Sequence, residues 1–137
     1  MKLLSSTDLA LRALMLLSTD PTGRPVSVET LAQQLGGLSR DHLHKIVQTL
    51  AGLGAVRTVR GIGGGVMLAA EPKEIKIGAL VRQLEGDQPI VECFRADGGC
   101  CTLSASCRLR RFIARARDQF YESLDQQTLA DCLTASR

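Results

Sequence analysis

Apolar residues recur at helical spacing through TDLALRALMLL, residues 7–17, and the turn-forming run Asp20-Pro21-Thr22-Gly23 follows. This pattern predicts an amphipathic helix capped by Thr7 or Ser6 and ending near Leu17. Ser27 is a good N-cap for a short second helix, with Glu29 in its first turn, Leu31 and Leu35 on one face, and Gly36-Gly37 closing it. Ser39 caps a third helix, RDHLHKIVQTLAGLG. There Leu43, Ile46, Val47 and Leu50 share one side, while Arg40, His42, Lys45, Gln48 and Thr49 lie mostly on the other. Next comes AVRTVRGIGGGVMLA, two β-prone runs around Gly61 and Gly63-Gly64-Gly65, which predicts a hairpin with a flexible basic tip. Helix, short helix, capped helix and hairpin together give the order of a winged helix-turn-helix.

Past Pro72, IGALVRQLEG predicts another short helix, and a cysteine-bearing loop starts at about Asp87. From Ser104 or Ser106 the stretch CRLRRFIARARDQFYESLDQQ places Leu109, Phe112, Ile113, Ala116, Phe120 and Leu124 on one stripe. A helix of that length projecting from a small domain packs against a partner. The expected fold class is mainly α with a small β hairpin: a winged helix-turn-helix domain over residues 1–86, a cluster-binding loop over 87–107, and a long dimerisation helix with its C-terminal segment over 108–137. There is no internal repeat or low-complexity segment.

Composition narrows the classes. The chain has 137 residues, the size of one domain. With 45% apolar residues but no Trp and 3% aromatics, Leu, Val, Ile and Ala must fill the core. The net charge of +3 is too modest to argue for a polyanion partner, so local clusters of charge must carry that case. MKLLSSTDLALRALMLL has the basic start of a signal peptide, but Asp8 and Arg12 interrupt its apolar run and no small-residue cleavage site follows. No uninterrupted apolar stretch reaches the length of a membrane span, so no membrane partner is expected and the location is expected to be cytoplasmic. Five cysteines, an odd number, are unsuited to a disulfide framework in that reducing compartment. Clustered thiols there bind metal or do redox work.

Two constellations carry chemistry. A helix entering the major groove by its N-terminal half needs short donors and cations there, and Ser39, Arg40, His42 and Lys45 supply them. Arg57 and Arg60 flank a glycine tip, including Gly63 and Gly64, that lets backbone approach a minor groove or phosphates. His42 and His44 read as helix-surface or packed residues rather than metal ligands, since nothing places a third nitrogen beside them. The second constellation, CFRADGGCCTLSASC, holds four of the five cysteines. Cys93, then Cys100 or Cys101, then Cys107 leaves spacings of C-x6-C or C-x7-C followed by C-x6-C or C-x5-C. Zinc ribbons use closer pairs, and wider thiolate spacing suits an iron–sulfur cluster better. Cys132, spaced like Leu129 and Leu133, reads as a buried thiol.

SRDHLHKIVQTLAGLGAVRTVRGIGGGVMLA closely resembles the DNA-binding signature of the Rrf family of bacterial regulators, and the likeness runs from TDLALRAL through the cysteine loop to TLADCL. The resemblance implies a homodimeric winged-helix regulator of double-stranded operator DNA, dimerised through its long C-terminal helix, with a cluster held by three cysteines. In that pattern Cys93 and Cys107 match the first and third ligands, and Cys101 keeps the C-x5-C spacing of the second; the adjacent Cys100 is a departure from the pattern and the alternative. IscR-like members place a histidine three residues after the last cysteine, where this chain has Arg110, a side chain that stays protonated and cannot ligate iron. NsrR-like members use a carboxylate near the N-terminus, reaching from the other subunit, and Asp8 stands at the matching place. The resemblance thus implies a repressor with a 4Fe-4S cluster sensing nitric oxide. A 2Fe-2S cluster and an iron- or redox-responsive regulator, RirA-like or IscR-like, are the alternatives. An electron carrier would need no recognition helix or wing; a thiol or zinc regulator would lack a visible chromophore. No nucleophile–base pair suggests an enzyme.

Overall fold

In a computed structural model of the chain, residues 1–103 and 106–133 are described. The elements are α1 (Ser5–Thr19), α2 (Val28–Gln34), α3 (Arg40–Gly52), β1 (Val56–Val59), β2 (Gly65–Leu68), α4 (Ile77–Glu85) and α5 (Arg108–Asp125), with single 3-10 turns at Pro72–Glu74, Glu92–Phe94 and Ala130–Cys132.

α1 begins earlier than its sequence suggests. Leu4, not Ser6 or Thr7, occupies its N-cap position, with no side-chain cap. Thr7 is buried in the core instead, and its hydroxyl has no hydrogen-bond partner among the described residues. The start of α1 is fixed from outside: the Leu4 N–H donates to Glu85 Oε1 of α4 at 2.8 Å. Tertiary contact has taken over the work of a local cap.

α2 and α3 follow their local signals. Ser27 Oγ accepts from the Thr30 N–H at 3.1 Å, and Ser39 Oγ accepts from the His42 N–H at 3.2 Å, each meeting one of the donors a helix start leaves open. The two glycines after α2 have φ of 90° and 81°, which lets the Gly37 N–H reach the Ala32 carbonyl and end the helix sharply. Leu43, Ile46, Val47 and Leu50 of α3 are all buried and join Leu14 and Leu17 of α1 and Leu31 of α2 in one core. Burial of each such side chain contributes about 2 kcal/mol.

β1 and β2 form an antiparallel hairpin that pairs Val56 with Leu68, Arg57 with Met67, Thr58 with Val66 and Val59 with Gly65. Val26, just before α2, exchanges both backbone hydrogen bonds with Val66 at 2.8 Å. A Cβ on Gly65 would stand 2.3 Å from the Val26 carbonyl oxygen, so only glycine permits this approach. The hairpin tip is a turn closed by a hydrogen bond from the Gly64 N–H to the Gly61 carbonyl at 3.0 Å.

α4 packs on α5 through a close crossing at Gly78, whose missing Cβ would lie 2.1 Å from Asp125 Oδ1. Arg82 clasps the same carboxylate with two 2.6 Å hydrogen bonds. Beyond α5 the chain returns to the domain, as Leu129 is fully buried and its N–H donates to the Ile75 carbonyl at 2.9 Å. Cys132 packs half-buried against this core, its thiol 3.5 Å from the Thr128 carbonyl, in keeping with its apolar spacing. α5 begins at Arg108 with Cys107 at its N-cap; of the two serines at the start of its sequence pattern, Ser104 lies outside the described residues. No residue of α5 is fully buried. Of its apolar stripe, Leu109 and Phe112 are 61% and 59% exposed, Ala116 is exposed, and Ile113, Phe120 and Leu124 are half-buried. No helix among the described residues is long and apolar enough to cross a membrane.

Candidate functional site

The capped end of α3 stands out from the core. Ser39, Arg40, His42, His44 and Lys45 are all exposed there, because the buried positions of the helix use up its other face. Arg40 Nη1 lies 3.3 Å from Glu29 Oε1 on α2, with both side chains more than 70% exposed. Such a pair contributes little to stability and releases its arginine cheaply to a phosphate or a base edge. The pairing crosses the turn between α2 and α3, and nothing in the local pattern of either helix pointed to it. The helix start also directs its free N–H groups outward, where an anion is favoured.

Arg57 extends from β1 and Arg60 follows it, both exposed and without an ion-pair partner among the described residues. Gly63 has φ of 76°, and a Cβ on Gly64 would fall 2.2 Å from the Val59 carbonyl oxygen, so both glycines are demanded by the turn itself. Between these glycines and Gly61 stands the exposed Ile62, which the basic and glycine pattern of the tip does not single out. Its signal was an apolar side chain in a stretch otherwise made of glycine.

The cysteine loop joins α4 to α5. Cys93 sits half-buried in the turn Glu92–Phe94, Cys100 and Cys101 are exposed, Cys107 is half-buried at the start of α5, and all are free thiols. Hydrogen bonds shape the loop. The Asp97 carboxylate takes two bonds from Arg95 and one from the Gly99 N–H, and these hold it below the usual carboxylate range, Arg95 contributing most. The Cys100 N–H donates to Glu92 Oε1 at 3.1 Å, and Gly99 passes so near the Glu92 carbonyl that a Cβ would stand 2.3 Å from it. Phe94, next to Cys93, lies under the guanidinium of Arg117 at 5.2 Å and that of Arg110 at 5.9 Å, which ties the loop to α5.

Asp8 is exposed in the first turn of α1 and forms an ion pair with Arg12 one turn on. Among the described residues of a single chain, no three Cys, His, Asp or Glu side chains converge to hold a metal ion. The thiols of the loop and the Asp8 carboxylate are thus presented at separate places. As donors they suit iron, with soft thiolates as the main set and a carboxylate as a harder addition.

Comparison with known proteins identifies the family. Residues 3–135 match the model of the Rrf2 family, described as "Iron-dependent Transcriptional regulator". The chain is 41% identical over 133 residues to the HTH-type transcriptional regulator NsrR of Geobacillus kaustophilus, covering 97% of this chain and 90% of the relative. It is 38% identical over 136 residues to the HTH-type transcriptional repressor NsrR of Streptomyces coelicolor, covering 98% and 90%. Among solved structures, CymR of B. subtilis, the global cysteine regulator, superposes with a TM-score of 0.74 at 29% identity, covering 100% of this chain and 99% of that one. IscR of T. potens superposes with a TM-score of 0.73 at 28% identity, covering 96% and 85%. A winged helix with an outward-facing capped helix, matched over nearly its whole length, is the frame of a transcription regulator rather than an enzyme, and the chain belongs to the Rrf2 family of transcriptional regulators.

Proposed function

We propose that this regulator is a homodimeric repressor whose operator binding is switched by an iron–sulfur cluster that responds to nitric oxide. The observation that carries the reading is the pairing, in one small chain, of an exposed basic recognition surface with a loop of four free thiols. The likeness to proteins named NsrR supports nitric oxide as the signal. Ser39, Arg40, His42 and Lys45 would face the major groove, while Arg57, Arg60 and the backbone at Gly63 and Gly64 face the adjacent phosphates and minor groove.

Cys93, Cys101 and Cys107 would hold the cluster, with Asp8 supplied by the partner subunit and Cys100 the alternative to Cys101. Such a cluster, 4Fe-4S in this reading, would supply iron open to reaction with nitric oxide. The chain's part is mechanical. The apolar stripe of α5, with Leu109 and Phe112 uncovered, joins the protomers and sets the separation of their two α3 helices. That separation must fit half-sites about one helical turn apart, so a small rotation costs affinity. Arg95, Asp97 and Glu92 hold the loop that links this separation to the thiols.

The test is anaerobic purification followed by titration with nitric oxide, reading visible absorbance together with binding to a duplex selected from a random-sequence pool. Absorbance and specific DNA binding should fall together. A colourless protein that still binds the duplex would instead indicate a zinc- or thiol-based regulator, and a coloured protein indifferent to nitric oxide an iron or redox sensor.

A further inference from the structure

Ile62 stands fully exposed at the apex of the wing. The turn makes this placement obligatory: Gly61 at φ 94° and Gly63 at φ 76° bracket it, and the Gly64 N–H to Gly61 carbonyl bond of 3.0 Å closes the turn beneath it. From Gly61 to Gly65 this is the one side chain. The tip is therefore as narrow as a polypeptide turn can be, a strip of backbone bearing a single branched apolar group. Single exposed hydrophobes are ordinary on protein surfaces. This one differs in its setting, because Arg57 on β1 and Arg60 just after it, neither ion-paired among the described residues, give the tip a positive base.

A thin, apolar, positively based tip is complementary to a narrow groove with a negative floor. The minor groove of B-DNA is about 6 Å wide, and A·T-rich stretches narrow it and deepen its negative potential. The floor over A·T pairs carries only acceptors, whereas a G·C pair adds the guanine N2 amino group. An apolar side chain lowered onto that amino group blocks it and strips its water without offering an acceptor.

Resting on the DNA-binding reading above, we propose that Ile62 enters the minor groove beside each half-site and selects A·T pairs there by excluding the guanine amino group. The side chain adds sequence discrimination at positions that the recognition helix does not touch, and the arginines add affinity without it.

The experiment uses the full-length protein and a duplex selected from a random-sequence pool. Each A·T pair flanking the major-groove core is replaced in turn by G·C, and then by inosine·C, which lacks the minor-groove amino group. For the wild type, G·C at the wing-facing positions should weaken binding about tenfold, and inosine·C should restore it. Ile62→Ala should bind the selected duplex about fivefold more weakly, show no G·C penalty, and keep the wild-type salt dependence because no charge is lost. Arg60→Ala should reduce the salt slope by about one and retain the penalty. An equal G·C penalty in wild type and Ile62→Ala, no penalty in the wild type, or a penalty that inosine·C does not relieve overturns the assignment. Absence of any selected duplex overturns the DNA-binding reading itself, and the role of Ile62 with it.

Discussion

Asp8 and Arg12 form an ion pair one turn apart on the exposed face of α1, so the carboxylate proposed as an iron ligand already has a partner within its own helix. Both side chains are more than half exposed, and a pair of that kind is weak enough to be exchanged for a better one. Two roles for Asp8 can therefore be separated. If it only serves the helix, Asp8→Ala and Arg12→Ala should behave alike, each nearly neutral in thermal unfolding and in visible spectrum. As an iron ligand, Asp8→Ala should alter the anaerobic spectrum and shift the nitric oxide response with the fold intact. Arg12→Ala should leave the spectrum in place and ease assembly by freeing the carboxylate. Circular dichroism, absorbance and a nitric oxide titration on the three proteins decide the matter.

Cys100 and Cys101 are adjacent in the loop, and the Cys100 backbone is fixed by Glu92. Replacement of Cys93, Cys101 or Cys107 by Ala should each strip the colour or leave a fragile centre, since a lost thiolate is replaced only by a weaker ligand. Cys132→Ala should keep the spectrum. Cys100→Ala is the control: bleaching there, with Cys101→Ala still coloured, would move the ligand register by one residue.

Acid should loosen the joint between α4 and α5. The Arg82 guanidinium holds Asp125 below the usual carboxylate range, and Asp125 holds Arg82 above its own. A carboxylate depressed in the folded state adds stability above its unfolded value, near pH 4, and that contribution is lost as pH falls through the folded value. Thermal unfolding should accordingly be level in this respect above about pH 5 and decline below about pH 4. Asp125→Asn should flatten part of that decline and lower stability at neutral pH. Asp20, Asp97 and Asp131 are likewise held below the usual carboxylate range by their hydrogen bonds and act in the same direction.

Leu109 and Phe112 sit uncovered on a helix with no fully buried residue, which is the profile of a surface completed by a second copy. The double change Leu109→Glu and Phe112→Glu should yield a monomer in analytical ultracentrifugation while leaving helical content near that of the wild type. Its operator affinity should drop by about a hundredfold or more, because the two half-sites no longer bind as one ligand. A dimer that survives both changes would place the interface elsewhere.

Where physical cause was local, the sequence was sufficient. Ser27 and Ser39 cap the helices they precede, Leu43, Ile46, Val47 and Leu50 form the buried face of α3, and the glycine run forms the hairpin tip. Where the cause was distant, it was not. The start of α1 depends on Glu85, 81 residues away, and Thr7 was misplaced because burial overrode its capping propensity. The Arg40–Glu29 and Arg82–Asp125 pairs join elements that only folding brings together. The thiols were legible as a group because they crowd one loop, but among the described residues of a single chain they do not converge on a common centre.

The two backbone bonds between Val26 and Val66 splice the wing to the residue that leads into α2. Because α2 and β1 both pack against α3, wing and proposed recognition helix are cast as one jaw. In the proposed homodimer, a signal that weakens binding would have no need to bend either contact; it would only have to change the span between two such jaws, as a calliper is reset by its screw and not by its tips.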